Sequence, residues 1–156
     1  MPKNNVSSLD KKLRTVLITL GLLGLLDSIY LTYIKVTNTS AACAGIGDCD
    51  AVNSSPYSEI YGIPIAIFGA GAYLLMLFLL TMESRGGMWR TRGPLVVFLL
   101  TLAGVMYSAY LTYIEIAVLH AICLYCVISA VILVLMLVLA AYRYISIDED
   151  DLFGSQ

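Results

Sequence analysis

The sequence predicts an all-α membrane protein, a bundle of four transmembrane helices with a short helix on its outer surface. The chain has 156 residues, of which 60% are apolar and only 13% charged. Soluble domains average about 45–50% apolar and about 25% charged residues, so a soluble globule of this size would not bury so much hydrocarbon. The net charge of −2 provides no basic surface, which argues against nucleic-acid binding.

Four apolar segments are long enough to span a bilayer, since a hydrocarbon core of about 30 Å needs roughly 20 helical residues. They cover about residues 15–34, 63–82, 94–114 and 121–142, and the one charged residue within them is Asp27. None shows the charged stripe every 3.6 residues that a soluble amphipathic helix would have. We therefore expect one membrane domain over residues 15–142.

The basic residues predict the sidedness. Eight of the nine Lys and Arg residues precede the first segment, lie between the second and third, or follow the fourth. Cytoplasmic loops carry the excess of basic residues, so both termini are predicted to be cytoplasmic. The expected location is a bacterial inner membrane, although the outer face would also be oxidising in an endoplasmic reticulum membrane. Loops 36–62 and 115–120 then face the other compartment. Residues 1–14 form a cytoplasmic N-terminus, and residues 143–156 form an acidic cytoplasmic tail without a specific role.

An internal repeat links the first and third segments. Residues 24–36 read GLLDSIYLTYIKV and residues 104–116 read GVMYSAYLTYIEI, with seven of thirteen positions identical at an offset of 80. Two segments separate the copies, so both have the same orientation in the membrane, as in a parallel repeat about the membrane normal. Duplication explains the match better than the general enrichment of Tyr at membrane interfaces.

The four cysteines are the main candidates for chemistry, and the predicted sidedness places all of them on the outer face. Cys43 and Cys49 lie in the long outer loop, whereas Cys123 and Cys126 form C-L-Y-C at the start of the fourth segment. A helix N-terminus stabilises a thiolate, with Cys123 facing water and Cys126 deeper. Such a pair suits electron transfer between a soluble thiol and a lipid-soluble acceptor. Two inert disulfides and a zinc site are the alternatives, and four cysteines allow three pairings.

The outer loop is predicted to contain a short amphipathic helix that begins at Ser55-Pro56, because Ser is a favourable N-cap and Pro a favourable first residue. Tyr57, Ile60 and Tyr61 would share one of its faces, and Gly62 would end it. This helix would cover a pocket between the spans or anchor the loop at the interface.

Taken together, these motifs resemble the vitamin K epoxide reductase family. They are four spans, a cysteine pair in the outer loop, the run C-D-A-V-N-S-S-P-Y-S-E-I-Y-G-I-P-I-A-I-F-G and the late C-x-x-C. The likeness covers about residues 15–142 and is to the bacterial, single-domain form. The related DsbB type usually carries its C-x-x-C in the first outer loop, so the order seen here favours the first family.

The resemblance implies a membrane thiol oxidoreductase with four catalytic cysteines. Cys43 would meet an extracytoplasmic thioredoxin-fold partner, Cys49 would pass electrons to Cys123, and Cys126 would face a membrane quinone: ubiquinone, menaquinone or phylloquinone. The candidate quinone contacts are Ser55, Tyr57, Tyr61, Ile65, Ala130 and His120. Ile65 and Ala130 replace an Asn and a Tyr of the vertebrate enzymes, so the polar contacts to the quinone are expected to differ.

Two further residues carry hypotheses of their own. Asp27 is a carboxylate inside a span, where a charge is costly; it would be bonded to Tyr or Ser of a neighbouring span or serve as a proton relay. His120 precedes Cys123 by three residues, so it would share a helix face with it and protonate a thiolate or a quinone oxygen. The alternatives to the enzyme are a disulfide-stapled membrane scaffold and a metal-binding membrane protein.

Overall fold

The structure, a computed structural model, describes residues 3–40, 43, 47–83 and 88–153. Four long helices run through it, α1 (Lys3–Thr37), α3 (Ile65–Met82), α4 (Met88–Ile114) and α5 (Leu124–Phe153), with the short α2 (Cys49–Ser54) in the outer loop. Each long helix contains a stretch apolar enough to cross a membrane: Ser8–Thr37, Ile65–Met82, Arg92–Leu119 and Leu124–Ser146. Each stretch overlaps one predicted segment, so the protein is an integral membrane four-helix bundle, as expected.

The helices pack as two hairpins, α1 against α3 and α4 against α5, with α1 also contacting α5. Small residues allow the close approach that drives helix association in lipid. A Cβ at Gly24 would overlap the Tyr73 ring of α3, and a Cβ at Gly104 would lie 3.0 Å from Leu133 Cδ2 of α5. Gly24 and Gly104 are equivalent in the sequence repeat, so the two copies form equivalent crossings.

The outer loop differs from the prediction. Its helix is α2, which ends one residue before Ser55, and only a single 3₁₀ turn (Pro56–Ser58) follows. β1 (Glu59–Ile60) and β2 (Ile63–Pro64) then form an antiparallel hairpin. Tyr61 and Gly62 at its tip have φ of 51° and 79°, and positive φ at both central residues is the hairpin geometry that Gly favours. Gly62 therefore makes a turn in a hairpin instead of ending a helix.

At the end of the bundle away from the cysteines, a buried ion-pair cluster joins three helices. Arg143 of α5 donates from Nε to Asp10 Oδ1 of α1 at 2.6 Å and from an Nη to Glu83 Oε2 at 2.7 Å. Glu83 directly follows α3, and its burial raises its pKa above the ordinary value even though Arg143 acts in the opposite direction. The sequence interpretation treated Arg143 only as a flanking charge. Arg85, also used for the sidedness, lies outside the described residues.

Candidate redox site and cavity

The outer-loop cysteines are joined to each other. Cys43 and Cys49 form a disulfide with their Cα atoms 6.2 Å apart, and Cys49 is buried while Cys43 is partly exposed. Asp48 caps α2 by accepting the Ala51 N–H on its side chain at 3.0 Å. The sequence alone left the disulfide pairing of the four cysteines open. In the structure the two loop cysteines are bonded to each other, and the two cysteines of the C-x-x-C form a separate pair.

The backbone of this loop is docked onto the segment just before the C-x-x-C. The Asp48 N–H donates to the Ile122 carbonyl at 3.0 Å. Gly47 has φ +82°, and a Cβ there would overlap the same carbonyl oxygen. The tight approach places Cys49 in one buried cluster with Val52 and Cys123. Cys49 and Cys123 are each only 1% exposed.

The C-x-x-C lies at the N-terminus of α5, as predicted. The Cys123 carbonyl accepts the Val127 N–H at 3.1 Å, which makes Cys123 the N-cap residue, directly before the first residue of α5. Cys123 and Cys126 are free thiols, the first buried and the second half-buried. The expectation that Cys123 faces water is wrong, because the docked loop covers it.

Hydrogen bonding determines which thiol ionises first. The Cys126 thiol donates to the Cys123 sulfur and lowers the pKa of Cys123 below its ordinary value. Backbone N–H groups of Cys126 and Tyr125 act in the same direction, whereas burial and the charge of Glu115 oppose them. Cys123 is therefore the thiol of the pair that ionises first, with Cys126 as its hydrogen-bond donor.

Glu115 is a buried carboxylate beside this pair. It begins a π-helical turn (Glu115–Leu119) that continues α4, and it is 3% exposed. Its Oε2 accepts the Cys123 N–H at 3.0 Å, and its side chain also interacts with the Cys126 thiol. The carboxylate thus supplies an acceptor to the N-terminus of α5, where N–H groups lack partners within the helix.

A cavity of about 260 Å³ extends from the outer loop into the bundle. Cys123, Cys126 and Glu115 line it together with side chains from α1, α3, α4 and α5. Its wall is mainly apolar, as in small-molecule sites generally. The polar groups deeper in the bundle include Asp27, Ser28, Tyr73, Tyr107, Ser108 and Ser129.

Three of the six candidate quinone contacts line this cavity. Ser55 is buried and donates to the Val52 carbonyl at 2.7 Å; Tyr57 and Ile65 lie beside it in the wall. Tyr61, Ala130 and His120 are not among the lining residues.

The reasons differ for the three residues that lie elsewhere. Tyr61 is fully exposed at the hairpin tip. His120 ends the π-helical turn with φ 50° and is exposed, so it does not share a helix face with Cys123 as expected. Ala130 does not line the cavity, whereas the preceding residue, Ser129, does.

Sequence reasoning missed two groups of this site. Tyr73 was not among the candidate quinone contacts, yet its hydroxyl lies 3.1 Å from Ser129 Oγ and both residues line the cavity. Glu115 was counted only as part of a loop. The repeat offered a signal for it, because Glu115 replaces Lys35 directly after the five identical residues YLTYI.

Asp27 lines the cavity, but it is not bonded to a neighbouring Tyr or Ser as one hypothesis held. Its Oδ2 is buried and has no hydrogen-bond partner among the described residues. A buried unpartnered carboxylate oxygen calls for a functional or solvent-related explanation. The other hypothesis, a proton relay, stays a prediction, and Asp27 lies in the cavity wall where such a relay would act.

Comparison with known proteins shows what the chain is similar to. A family model described as the vitamin K epoxide reductase family matches residues 15–141. A curated relative, "Thiol-disulfide oxidoreductase LTO1" of Arabidopsis thaliana, is 36% identical over 112 residues. The aligned region covers 68% of this chain and 30% of the relative, so the chain spans about a third of the relative's length.

Proposed function

Because the chain belongs to the vitamin K epoxide reductase family, we propose that it is a membrane thiol oxidoreductase that couples disulfide formation in a thioredoxin-fold partner to reduction of a membrane quinone. The observation that carries the proposal is the burial of Cys49 against Cys123, directly above a cavity that the C-x-x-C lines. Two cysteine pairs of unlike environment meet there.

The electron route follows from these environments. Cys43 is the more exposed member of the loop pair, so the partner's thiolate attacks it and releases Cys49. The Cys49 thiolate attacks Cys123 of an oxidised C-x-x-C and releases Cys126, and Cys43 is then freed by the partner's second thiol. The Cys43 thiolate then attacks Cys49, which re-forms the Cys43–Cys49 disulfide and releases Cys123. Both electrons from the partner now reside on Cys123 and Cys126. Each step is thiol–disulfide exchange, which needs a thiolate and access to the attacked sulfur.

The cavity fits the ring of a quinone. Its volume of about 260 Å³ is slightly below the range of small-molecule sites, roughly 300–1,000 Å³, so it suits a single ring, with an isoprenoid tail extending between helices. Asp27 and the Tyr73–Ser129 pair supply polar atoms for the ring oxygens, and Ser55, Tyr57 and Ile65 form the outer wall. When bound, the quinone accepts two electrons and two protons.

The orientation and domain limits remain predictions that accompany this function. The cysteine end of the bundle is proposed to face the extracytoplasmic side of a bacterial inner membrane, with both termini in the cytoplasm and residues 15–142 as the oxidoreductase domain. The partner is then an extracytoplasmic thiol protein. Membrane-impermeant thiol reagents should label reduced Cys43 in intact cells; labelling only after permeabilisation contradicts this orientation.

The direct test is quinone reduction by the purified protein in detergent with a reduced thioredoxin-fold donor. Cys43→Ala or Cys49→Ala should abolish turnover with the protein donor, while a small membrane-permeant dithiol should still reduce Cys123–Cys126. Cys126→Ala should trap a Cys49–Cys123 disulfide, visible by mass spectrometry of the digested protein. Full activity of both loop variants with the protein donor refutes the relay.

The two alternative functions, a disulfide-stapled scaffold and a metal-binding membrane protein, differ from the proposed enzyme in what they predict. A disulfide-stapled scaffold has cysteines that resist reduction and do not exchange. No group of three or more His, Cys, Asp or Glu side chains suited to a metal occurs within residues 3–40, 43, 47–83 and 88–153, so no observation favours the metal-binding alternative.

A further inference from the structure

Glu115 contacts both the redox pair and the cavity. It accepts the Cys123 N–H, interacts with the Cys126 thiol and lines the cavity wall. Burying a carboxylate in apolar surroundings is costly unless the group is bonded. The Cys123 N–H donates to it, and the Cys126 thiol lies with it in the same cavity wall; both belong to the residues that react.

Capping of α5 does not by itself require a carboxylate at this position. Neutral side chains such as Ser, Thr and Asn cap helices as well as Asp does, and none of them needs to reach a thiol. The chain instead holds this side chain in place through the π-helical turn, whose backbone is fixed by the Ala121 N–H donating to the Glu115 carbonyl at 3.0 Å. Capping requires only a hydrogen-bond acceptor. A carboxylate can in addition exchange a proton, and capping makes no use of that ability.

We propose that Glu115 is a catalytic proton carrier, which takes the proton of the Cys126 thiol and delivers it to one oxygen of the quinone. The inference rests on the proposed function and names the residue that moves one of its protons. As the Cys123–Cys126 bond forms, the pair loses two electrons to the quinone. The Cys126 proton passes through Glu115, and the proton that Cys123 earlier lost to the outer aqueous phase is taken up again from that phase. Quinone and dithiol thus become quinol and disulfide.

Glu115→Gln tests this because it keeps the size and an oxygen that accepts the Cys123 N–H, and removes proton exchange. General acid–base groups contribute about 10²–10⁴-fold to rates, so quinone reduction should fall at least 100-fold. Transfer from Cys49 to Cys123 should be unchanged, so reduced Cys123–Cys126 should accumulate. Glu115→Asp should restore part of the rate. Activity within threefold of wild type, or an equal loss in the transfer from Cys49, overturns the proposal in favour of a capping role.

A second readout needs no quinone and separates this inference from the proposed function. Alkylation of Cys126 in the fully reduced protein is followed against pH by mass spectrometry. The titratable groups that share the cavity with Glu115 are Cys123, Cys126, Asp27, Tyr57, Tyr73 and Tyr107.

Glu115→Gln should change the pH profile of Cys126 alkylation, whereas Asp27→Asn, which removes the other cavity carboxylate, should leave it unchanged. Superposable profiles for wild type and Glu115→Gln overturn the inference. If wild type reduces no quinone but Glu115→Gln still alters the profile, the quinone assignment is wrong and the proton-carrying role at the thiol stands.

Discussion

Docking of the outer loop depends on Gly47, and Gly47→Ala should weaken transfer from the loop pair to the C-x-x-C. The residue has φ +82°, and a Cβ would overlap the Ile122 carbonyl oxygen. An L-residue in left-handed backbone costs roughly 1–2 kcal/mol. Moving away from Ile122 also loses the bond from the Asp48 N–H, a further contribution of about 1 kcal/mol.

The two effects sum to about 2–3 kcal/mol, and each 1.4 kcal/mol corresponds to a factor of ten. The docked fraction, and with it the rate of Cys49 attack on Cys123, should fall by up to about 100-fold. The assay is stopped-flow or quenched-flow transfer from the reduced loop pair to oxidised Cys123–Cys126. Reduction of Cys123–Cys126 by a small permeant dithiol should not slow, because it bypasses the loop.

Gly62→Ala is the matched control. Gly62 has nearly the same backbone, φ +79°, but no atom lies within 4 Å of the position of an added Cβ. The Gly62→Ala variant therefore has a similar backbone strain, located at the hairpin tip, and no clash near the C-x-x-C. An equal loss of transfer in both variants, or no loss in Gly47→Ala, would refute the claim that contact with Ile122 positions Cys49.

Three further outcomes are expected. Arg143→Ala leaves Glu83 and Asp10 without their cation, and loss of one partner of a buried pair costs about 3–5 kcal/mol, so the unfolding temperature in detergent should drop by several degrees, whereas the exposed Arg92→Ala should not change it. Cys126→Ala removes the thiol that lowers the pKa of Cys123, so alkylation of Cys123 should shift to higher pH; an unchanged pH profile contradicts the assigned donor. Lys35→Met removes the ammonium that donates to the Asn53 carbonyl at 2.6 Å and to Ser58 Oγ at 2.8 Å, so limited proteolysis of the outer loop should speed up, while Lys12→Met should leave it unaffected.

The two copies of the internal repeat serve different roles in the structure. Ser28 and Ser108 are equivalent and line the cavity from α1 and α4, as do Leu31 and Leu111. The positions where the copies differ carry the specific polar contacts. Lys35 holds the outer loop, and its equivalent Glu115 holds the C-x-x-C. Two matched pairs, Ser28/Ser108 and Leu31/Leu111, thus line the cavity from both copies, whereas the mismatched pair Lys35/Glu115 makes different polar contacts.

The sequence by itself determined the features that depend on local composition and on order along the chain. Transfer of apolar side chains into lipid decides which segments span, and those segments are recognisable within about 20 residues. The alternation of spans then brings all four cysteines to one end, and the C-x-x-C at the start of an apolar segment lies at a helix N-terminus. These predictions needed no tertiary contact, and the described helices agree with them.

Only the tertiary structure decided which groups touch. Whether Cys123 meets water or Cys49 depends on how residues 47–49 pack on Ile122, more than 70 positions away in the chain. The same holds for Glu115 facing the thiols and for Arg143 meeting Asp10 across the bundle. The local signal at Ser55-Pro56 begins a helical turn with Ser55 as N-cap, as predicted, but the turn ends at Ser58, where Lys35 and Ser58 both bond the Asn53 carbonyl. Hydrogen bonds and close packing act over a few ångströms between segments that no sequence period connects, so the redox site emerges only when the four helices and the outer loop are assembled.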